Sequence, residues 1–245
     1  MANIQKTFGI ILSTIPFKES SLICSIFTKN YGKIKIIAKG ARRPKSKLCG
    51  TLEPFSLDEI IFYKREFKEI YTLSDAVIID NFEKIRAYMK KVNAAEILCE
   101  FLDKTLPAEE PDERTYSLLL NFLKRLQEVE ESSIKASTLY HLFGALTLTG
   151  VKPHLDDCIR CHQKIESASD KINFSLNEGG IVCDKHFDDT VVLLSSEAID
   201  ALRKTYEDKV VNTKEDILNE LENFITAYLY YHLNGLVLNS LKHLT

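Results

Sequence analysis

Two short ligand pairs dominate the chemistry of this chain. Cys158-Ile-Arg-Cys161 is followed, after twenty-one residues, by Cys183-Asp-Lys-His186. Two ligands separated by two residues can turn both side chains onto one face of an ion, and two such knuckles complete a tetrahedron. Three thiolates and one imidazole suit Zn²⁺. A shell made wholly of protein groups leaves no open position, so the site is expected to be structural rather than catalytic. Two other readings stay open from spacing alone: a set of metal-free thiols, or redox chemistry at the first pair. The spaced pairs favour zinc. His154 and His162 compete with His186 as fourth ligand, although His162 directly follows Cys161 and is awkwardly placed to chelate the same ion. The other cysteines, Cys24, Cys49 and Cys99, are scattered. They are expected to be small buried hydrophobes in a reducing compartment.

A second feature is cationic. Between Ser20 and Leu52 there is no acidic residue, while Lys29, Lys33, Lys35, Lys39, Arg42, Arg43, Lys45 and Lys47 fall in that stretch. The net charge of -3 hides this asymmetry. Residues 1–79 carry 13 Lys/Arg against 7 Asp/Glu, and residues 80–245 carry 19 against 28. A basic front on an acidic body points to a polyanionic partner. Cations along a strand and its following loop would track phosphates without reading sequence. The candidate track is Lys33, Lys35, Lys39, Arg42, Arg43, Lys45 and Lys47, with Pro44 stiffening the loop and Gly40 as its hinge. Tyr31, Phe27 or Phe55 could supply stacking.

The elements that must position these groups are legible in outline. Runs rich in β-formers recur at Lys6–Thr14, Ser21–Thr28, Lys33–Ala38, Phe55–Tyr63 and Glu69–Leu73. Ile15-Pro16 is expected to end the first, and Asn30-Tyr31-Gly32 to turn between the second and third. Five short strands in residues 1–79 suit a small closed barrel. The oligonucleotide-binding (OB) type leads, and an SH3-like barrel is the alternative that periodicity cannot separate. After Asp80 the period becomes helical. Phe82, Ile85, Met89, Val92, Glu96 and Cys99 form one stripe. A second helix follows Asp112, and a third runs from Ser133 to Thr149 and stops at Gly150. A final helix is expected after Thr213, capped by Thr213 with Asp216, with Ile217, Leu221, Phe224, Tyr228, Leu236 and Leu241 on its apolar face. Four such helices can bury their stripes together. The fold class is therefore α+β. It comprises a five-stranded OB-type barrel (1–79), a helical domain (80–150 and 190–245) and an inserted zinc module (151–189). Within the module, two short strands are expected around the turn Asn177-Glu178-Gly179-Gly180.

Several function classes recede. No window of eighteen apolar residues suggests a membrane span, and the N-terminal segment lacks the features of a signal peptide, so the expected location is the cytoplasm. No His-Glu-x-x-His, phosphate-binding Gly-Lys-Ser/Thr loop or Gly-x-Ser-x-Gly elbow is present, and an enzyme is not expected. His141 and His232 lie in helical apolar surroundings and read as packed residues.

With these residues in view, the chain resembles the RecO family of recombination mediators. The likeness is carried by Gly9–Leu12, Lys18–Ile23, Phe27–Lys29, the block Ala38-Lys-Gly-Ala-Arg-Arg-Pro-Lys-Ser46, Leu52–Phe55, the cysteine module and the closing Tyr230–Gly235. It implies binding of single- and double-stranded DNA, annealing of strands coated by single-strand binding protein (SSB), and, with RecR, loading of RecA at gaps near the nucleoid. It places Lys39, Arg42, Arg43, Lys45 and Lys47 on the family's basic block, and Cys158, Cys161 and Cys183 on its cysteines. His186 departs from the pattern, since zinc-binding relatives often have a fourth cysteine there. Some relatives lack the metal, so its expected role is to hold the module together. An SSB acidic tail would need a basic, apolar groove, for which Arg203 and Lys204 are candidates. The competing class is a zinc-containing nucleic-acid-binding scaffold or transcriptional regulator without annealing activity.

Overall fold

The computed structural model describes residues 3–165, 170–205 and 213–244. The chain divides into two compact units, residues 1–129 and 130–245. The first opens with β1 (Asn3–Phe17), β2 (Ser21–Thr28), β3 (Gly32–Ala38), β4 (Leu57–Lys64) and β5 (Ile70–Asp80). These close into a barrel in the order β1-β2-β3-β5-β4, with β4 pairing back onto β1. All neighbouring pairs are antiparallel except β3 and β5, which run parallel from Lys35↔Ile70 to Ile37↔Thr72.

Closure depends on β1 serving two neighbours. Asn3–Ile10 pair with β4, Gly9–Phe17 pair with β2, and the register breaks between Ile11 and Ser13. An extra residue on one strand bends it and increases its twist, which a closing strand requires. Gly9 sits where both neighbours pair, and a Cβ there would lie 2.5 Å from Ile26 Cγ2. Strict alternation sends Ile34, Ile36 and Ala38 of β3 inward and Lys33, Lys35 and Ile37 outward. Ile11, Ile26, Ile60 and Phe62 meet them in the core. Gly32 takes φ +64 in the β2–β3 turn, and a Cβ there would run into the Glu110 backbone.

The five expected strands are present, but β1 does not stop at Ile15-Pro16. It continues to Phe17, with Pro16 opposite Leu22. By then β4 has left its other side, so the missing proline N–H faces no partner strand.

Three helices complete this unit: α1 (Glu83–Arg86), α2 (Met89–Thr105) and α3 (Glu113–Glu128). The single helix expected from Phe82 to Cys99 is broken at Tyr88, which is extended. Phe82 and Ile85 are fully buried while Met89 is exposed, so the stripe changes face at the break. Asp112 caps α3 by accepting from the backbone N–H groups of Arg114 and Thr115. Near its end α2 lies against the outside of the barrel. Ser13 donates to the Asp103 carboxylate at 2.7 Å, and Ser25 donates to its other oxygen. Tyr116 of α3 packs edge-on against Phe27 at 5.7 Å.

The second unit contains α4 (Ile134–Leu148), β6 (Lys171–Ser175), β7 (Gly180–Ile181), β8 (Val191–Ser195), α5 (Ser196–Thr205) and α6 (Glu215–His232). Its sheet runs β7-β6-β8, all antiparallel. The helices expected to pack as one set are thus shared between two units. Phe174 of β6 meets Phe224 of α6 at 4.9 Å and Tyr228 at 5.9 Å. Lys135 of α4 is buried, which its ammonium tolerates because Glu222 of α6 is 2.8 Å away.

Two helix-end expectations fail. Lys214, not Thr213, is the cap residue of α6, and its side chain makes no capping hydrogen bond. The helix starts at Glu215, which leaves Thr213 one position too early. At the other end α6 stops at His232, and the chain turns through Asn234 and Gly235, both at positive φ. Leu236 and Leu241 therefore lie beyond the helix, although Leu241 is still buried.

Replacing Gly9 with valine should destabilise the protein by about 1–3 kcal/mol through overpacking against Ile26. Urea unfolding should show a lower midpoint with an unchanged slope; an unchanged midpoint would contradict the two-neighbour account of β1.

Candidate nucleic-acid interface and metal centre

The basic segment between β3 and β4 is not a free loop. Its apolar residues Ala41, Leu48 and Leu52 belong to the barrel core, and Phe55 is buried beside them. Successive turns fold it onto itself. Arg43 N–H donates to Gly40 O at 3.1 Å, Ser46 N–H to Arg43 O at 2.9 Å, and Cys49 N–H to Ser46 O at 3.1 Å. Its edges are stitched to the strands: Arg42 N–H to Ser20 O at 2.9 Å, Phe55 N–H to Ile11 O at 2.7 Å, and Thr14 Oγ1 to Leu52 O at 2.9 Å. Beneath it, buried Asp58 accepts the Leu52 N–H at 2.9 Å. Arg86 donates to Pro54 O at 2.9 Å and covers the Phe55 ring at 4.4 Å. The segment is a plug with a charged outer surface.

Lys39, Arg42, Arg43 and Lys45 are exposed on that surface. Lys47 is exposed too, with an ion pair to Asp75 at 3.0 Å. Lys35 is exposed on the outer face of β3. Lys33 is different: it is half-buried, its ammonium donates to the Asp103 carbonyl, and burial holds its pKa below the usual lysine value. It is engaged in holding α2. None of the three aromatics considered for stacking is free to do it. Phe27 and Phe55 are buried, and Tyr31 packs edge-on against Phe62 and donates to Gln5. Spacing gave no sign of Lys64, Arg65 and Lys68, which face Lys35 across a cleft of about 700 Å³. The signal available is compositional: three cations in the five residues Lys64-Arg-Glu-Phe-Lys68 between two expected strands.

In the second unit, Cys158, Cys161, Cys183 and His186 bring their ligand atoms within 4.8 Å of one another. Cys161 Sγ and Cys183 Sγ are 3.9 Å apart, Cys183 Sγ and His186 Nδ1 3.3 Å, and Cys158 Sγ and His186 Nδ1 3.5 Å. A tetrahedron with Zn–S bonds of ~2.3 Å has S–S edges of ~3.8 Å, so the spacing fits one ion and is far too long for a disulfide. Each knuckle is closed by its own backbone: His162 N–H donates to Cys158 O at 2.8 Å, and His186 N–H to Cys183 O at 2.9 Å. Burial alone would raise the Cys158 thiol, but N–H groups of Cys161, Cys183 and Arg160 and the His186 ring point at its sulfur and bring it down to about 6. A thiolate at neutral pH is the ligand form.

The competing histidines are directed elsewhere. His154 Nε2 is 2.8 Å from Asp157 Oδ1, and His162 Nδ1 is 3.4 Å from the same oxygen. The expected pair of strands is β6 and β7, turning at Gly179. Arg160, between the first two cysteines, spans to Glu178 at 2.8 Å and Asp188 at 2.9 Å. It ties the first knuckle to the β6–β7 turn and to the segment after the second knuckle. Of the scattered cysteines, Cys24 and Cys99 are buried, and burial pushes the Cys24 thiol up to about 11. Cys49 is a correction: it is exposed, because the plug turns it outward between Leu48 and Leu52.

Asp58 makes the plug sensitive to pH. Burial raises its carboxyl above the ordinary value, and the Leu52 N–H offsets only part of that. Its Oδ1 has no partner among the described residues. A raised folded pKa means stability that is complete below the ordinary aspartate value and is lost as pH rises through the folded value. Relative to Asp58→Asn, the wild type should therefore gain stability as pH falls from neutral to acid, measured by urea unfolding across pH. A difference that does not change with pH would contradict this.

Comparison with known proteins places the chain in a family. The family model described as "Recombination protein O N terminal" matches residues 1–82, and "Recombination protein O C terminal" matches residues 88–242. Among curated relatives, the chain is 30% identical to the DNA repair protein RecO of Alkaliphilus metalliredigens, over 97% of both chains. It is 31% identical to the DNA repair protein RecO of Dehalococcoides mccartyi, over 93% of this chain and 90% of that one. With the DNA repair protein RecO of a Thermoanaerobacter species it shares 30% identity over 93% of this chain and 92% of the relative. The first model ends two residues after β5 and the second spans α2 to α6 and the cysteine cluster, so the chain belongs to the RecO family.

Proposed function

We propose that this chain is a recombination mediator in DNA repair. It binds single- and double-stranded DNA, anneals complementary SSB-coated strands and, with RecR, promotes RecA loading at gaps. It acts in the cytoplasm at the nucleoid and performs no bond chemistry of its own. The observation that carries this reading is the plug, which holds Lys39, Arg42, Arg43, Lys45 and Lys47 outward while Leu48 and Leu52 anchor it in the core. Lys35 extends the track onto β3, and Lys33 supports it from behind. A five-strand barrel with β1 against β4 and β3 parallel to β5 agrees with the OB type better than with the SH3-like alternative. Residues 1–79 are read as the DNA-binding barrel and 151–189 as the zinc module, while the helices of 80–150 and 190–245 divide between the two compact units.

Annealing needs no catalytic group. Two coated strands repel each other, and a basic surface lowers that repulsion and raises the local strand concentration. Counterion release drives binding, and base pairing supplies the net free energy. Cys158, Cys161, Cys183 and His186 would hold Zn²⁺, which supplies a tetrahedral cross-link to a stretch with little sheet of its own. For the acidic SSB tail, exposed Lys204 is a better cation than Arg203, whose guanidinium donates to Leu155 O at 2.6 Å. Among the described residues no helix is long and apolar enough to cross a membrane.

Removing both charges in Arg42→Ala/Arg43→Ala should weaken DNA binding evenly across sequences. It should flatten the slope of log K against log salt by about 1.4 on single strands, at ~0.7 per phosphate contact. Unchanged affinity and slope would show that the plug is not the track. Protein purified without chelator should carry about one equivalent of zinc, lost in Cys183→Ser together with thermal stability. Less than half an equivalent in the wild type would refute the zinc assignment.

A further inference from the structure

The cleft on the first unit is lined by Lys35, Lys64, Arg65, Phe67, Lys68 and Tyr71, among others. Its outer wall is the β4–β5 turn, Arg65-Glu66-Phe67-Lys68-Glu69, all of it exposed. Phe67 is the anomaly. Its side chain is 101% exposed and its backbone has φ +60. The left-handed region crowds a Cβ, and a benzyl group in water gains nothing from burial, so neither conformation nor packing favours phenylalanine here. Leu52, Phe55 and Phe82 share that conformation, at φ +62, +53 and +50, but they are 1%, 3% and 0% exposed. Packing explains those three, and nothing within the fold explains Phe67.

The surroundings indicate what does. Arg65, Glu66, Lys68 and Glu69 share the turn with the ring, and neither Arg65 nor Lys68 has an ion pair among the described residues. Lys35 stands opposite, its residue paired with Ile70 where β5 leaves the turn. Lys64 is already bound by Glu109 at 2.9 Å, so it shapes the floor. A bare aromatic face whose free cations, Arg65, Lys68 and Lys35, outnumber the turn's carboxylates, Glu66 and Glu69, suits a ligand that is flat and apolar on one side and anionic beside it. A nucleotide with an unpaired base has this form. In a duplex the base faces are stacked on one another and are not offered.

Resting on the reading that the barrel binds DNA, we infer that Phe67 is a stacking platform for an unpaired nucleobase, with Arg65, Lys68 and Lys35 holding the adjoining phosphates. Lys35 leads along β3 to Lys39, about 13 Å away at ~3.3 Å per residue. A strand stacked on Phe67 thus continues onto the plug. The plug cations serve either form of DNA, and the turn supplies the preference for single strands.

The chain contains no tryptophan, so Phe67→Trp introduces a single indole at the turn. Oligothymidylate should quench its emission, and a blunt duplex should not. Phe67→Ala should lose about ten-fold in affinity for oligothymidylate by fluorescence anisotropy, with duplex affinity and melting temperature unchanged. Three results would overturn the inference: unquenched emission at saturating oligothymidylate, unchanged Phe67→Ala affinity, or equal loss on both DNA forms, as expected if the ring serves a protein partner or the fold. If the wild-type protein binds no DNA by anisotropy, it is the underlying DNA-binding reading that fails.

Discussion

Cations can act as a phosphate track only if something fixes them while leaving their charges in water. Here that constraint is met by burying the apolar residues of the basic segment itself. Leu48 and Leu52 close the core of the barrel, and Asp58 holds the Leu52 amide from inside. The alternation along each turn then leaves Arg42, Arg43 and Lys45 no inward direction to take. The barrel needs the plug for its core, and the plug needs the barrel for its shape. The same logic keeps Lys33 behind the track, where its ammonium ties β3 to the end of α2.

The cysteine–histidine cluster answers a similar problem in the second unit. The stretch around the cysteines has one short sheet, and β7 is only two residues long. A sheet that small has little core. Its order comes from cross-links: Arg160 to Glu178 and Asp188, Ile159 N–H to Ile181 O at 2.9 Å, Phe174 onto α6, and the four ligands drawn together. Seen this way, the four-residue cluster is one staple among several, and a metal held there would add to cross-links that the protein already makes by itself.

Much of the architecture was legible in the sequence because it rests on period. Strand β3 alternates cleanly, and Asp112 announces α3 by a capping side chain. The clustering of Cys158, Cys161, Cys183 and His186 was legible because two knuckles leave few choices, and His154 and His162 turn to Asp157 instead. What escaped was long-range. Nothing local says that β1 must pair on both sides and so pass through Pro16, that the stripe from Phe82 to Cys99 changes face at Tyr88, or that Leu48 and Leu52 belong to a core built by other strands. The aromatics were misjudged for the same reason. Phe27 and Phe55 lie nearer to the basic residues in sequence, whereas the exposed ring, Phe67, arrives beside them only through the parallel pairing of β3 with β5.

The central claim is that a rigid basic surface on this barrel brings coated strands together without catalysis. Annealing of two complementary SSB-coated oligonucleotides, followed by fluorescence without ATP across a salt series, tests it most directly. The account predicts an acceleration that fades as salt rises, in step with the loss of DNA binding. DNA binding without any acceleration would contradict it and leave a basic barrel that holds DNA but does not mediate pairing.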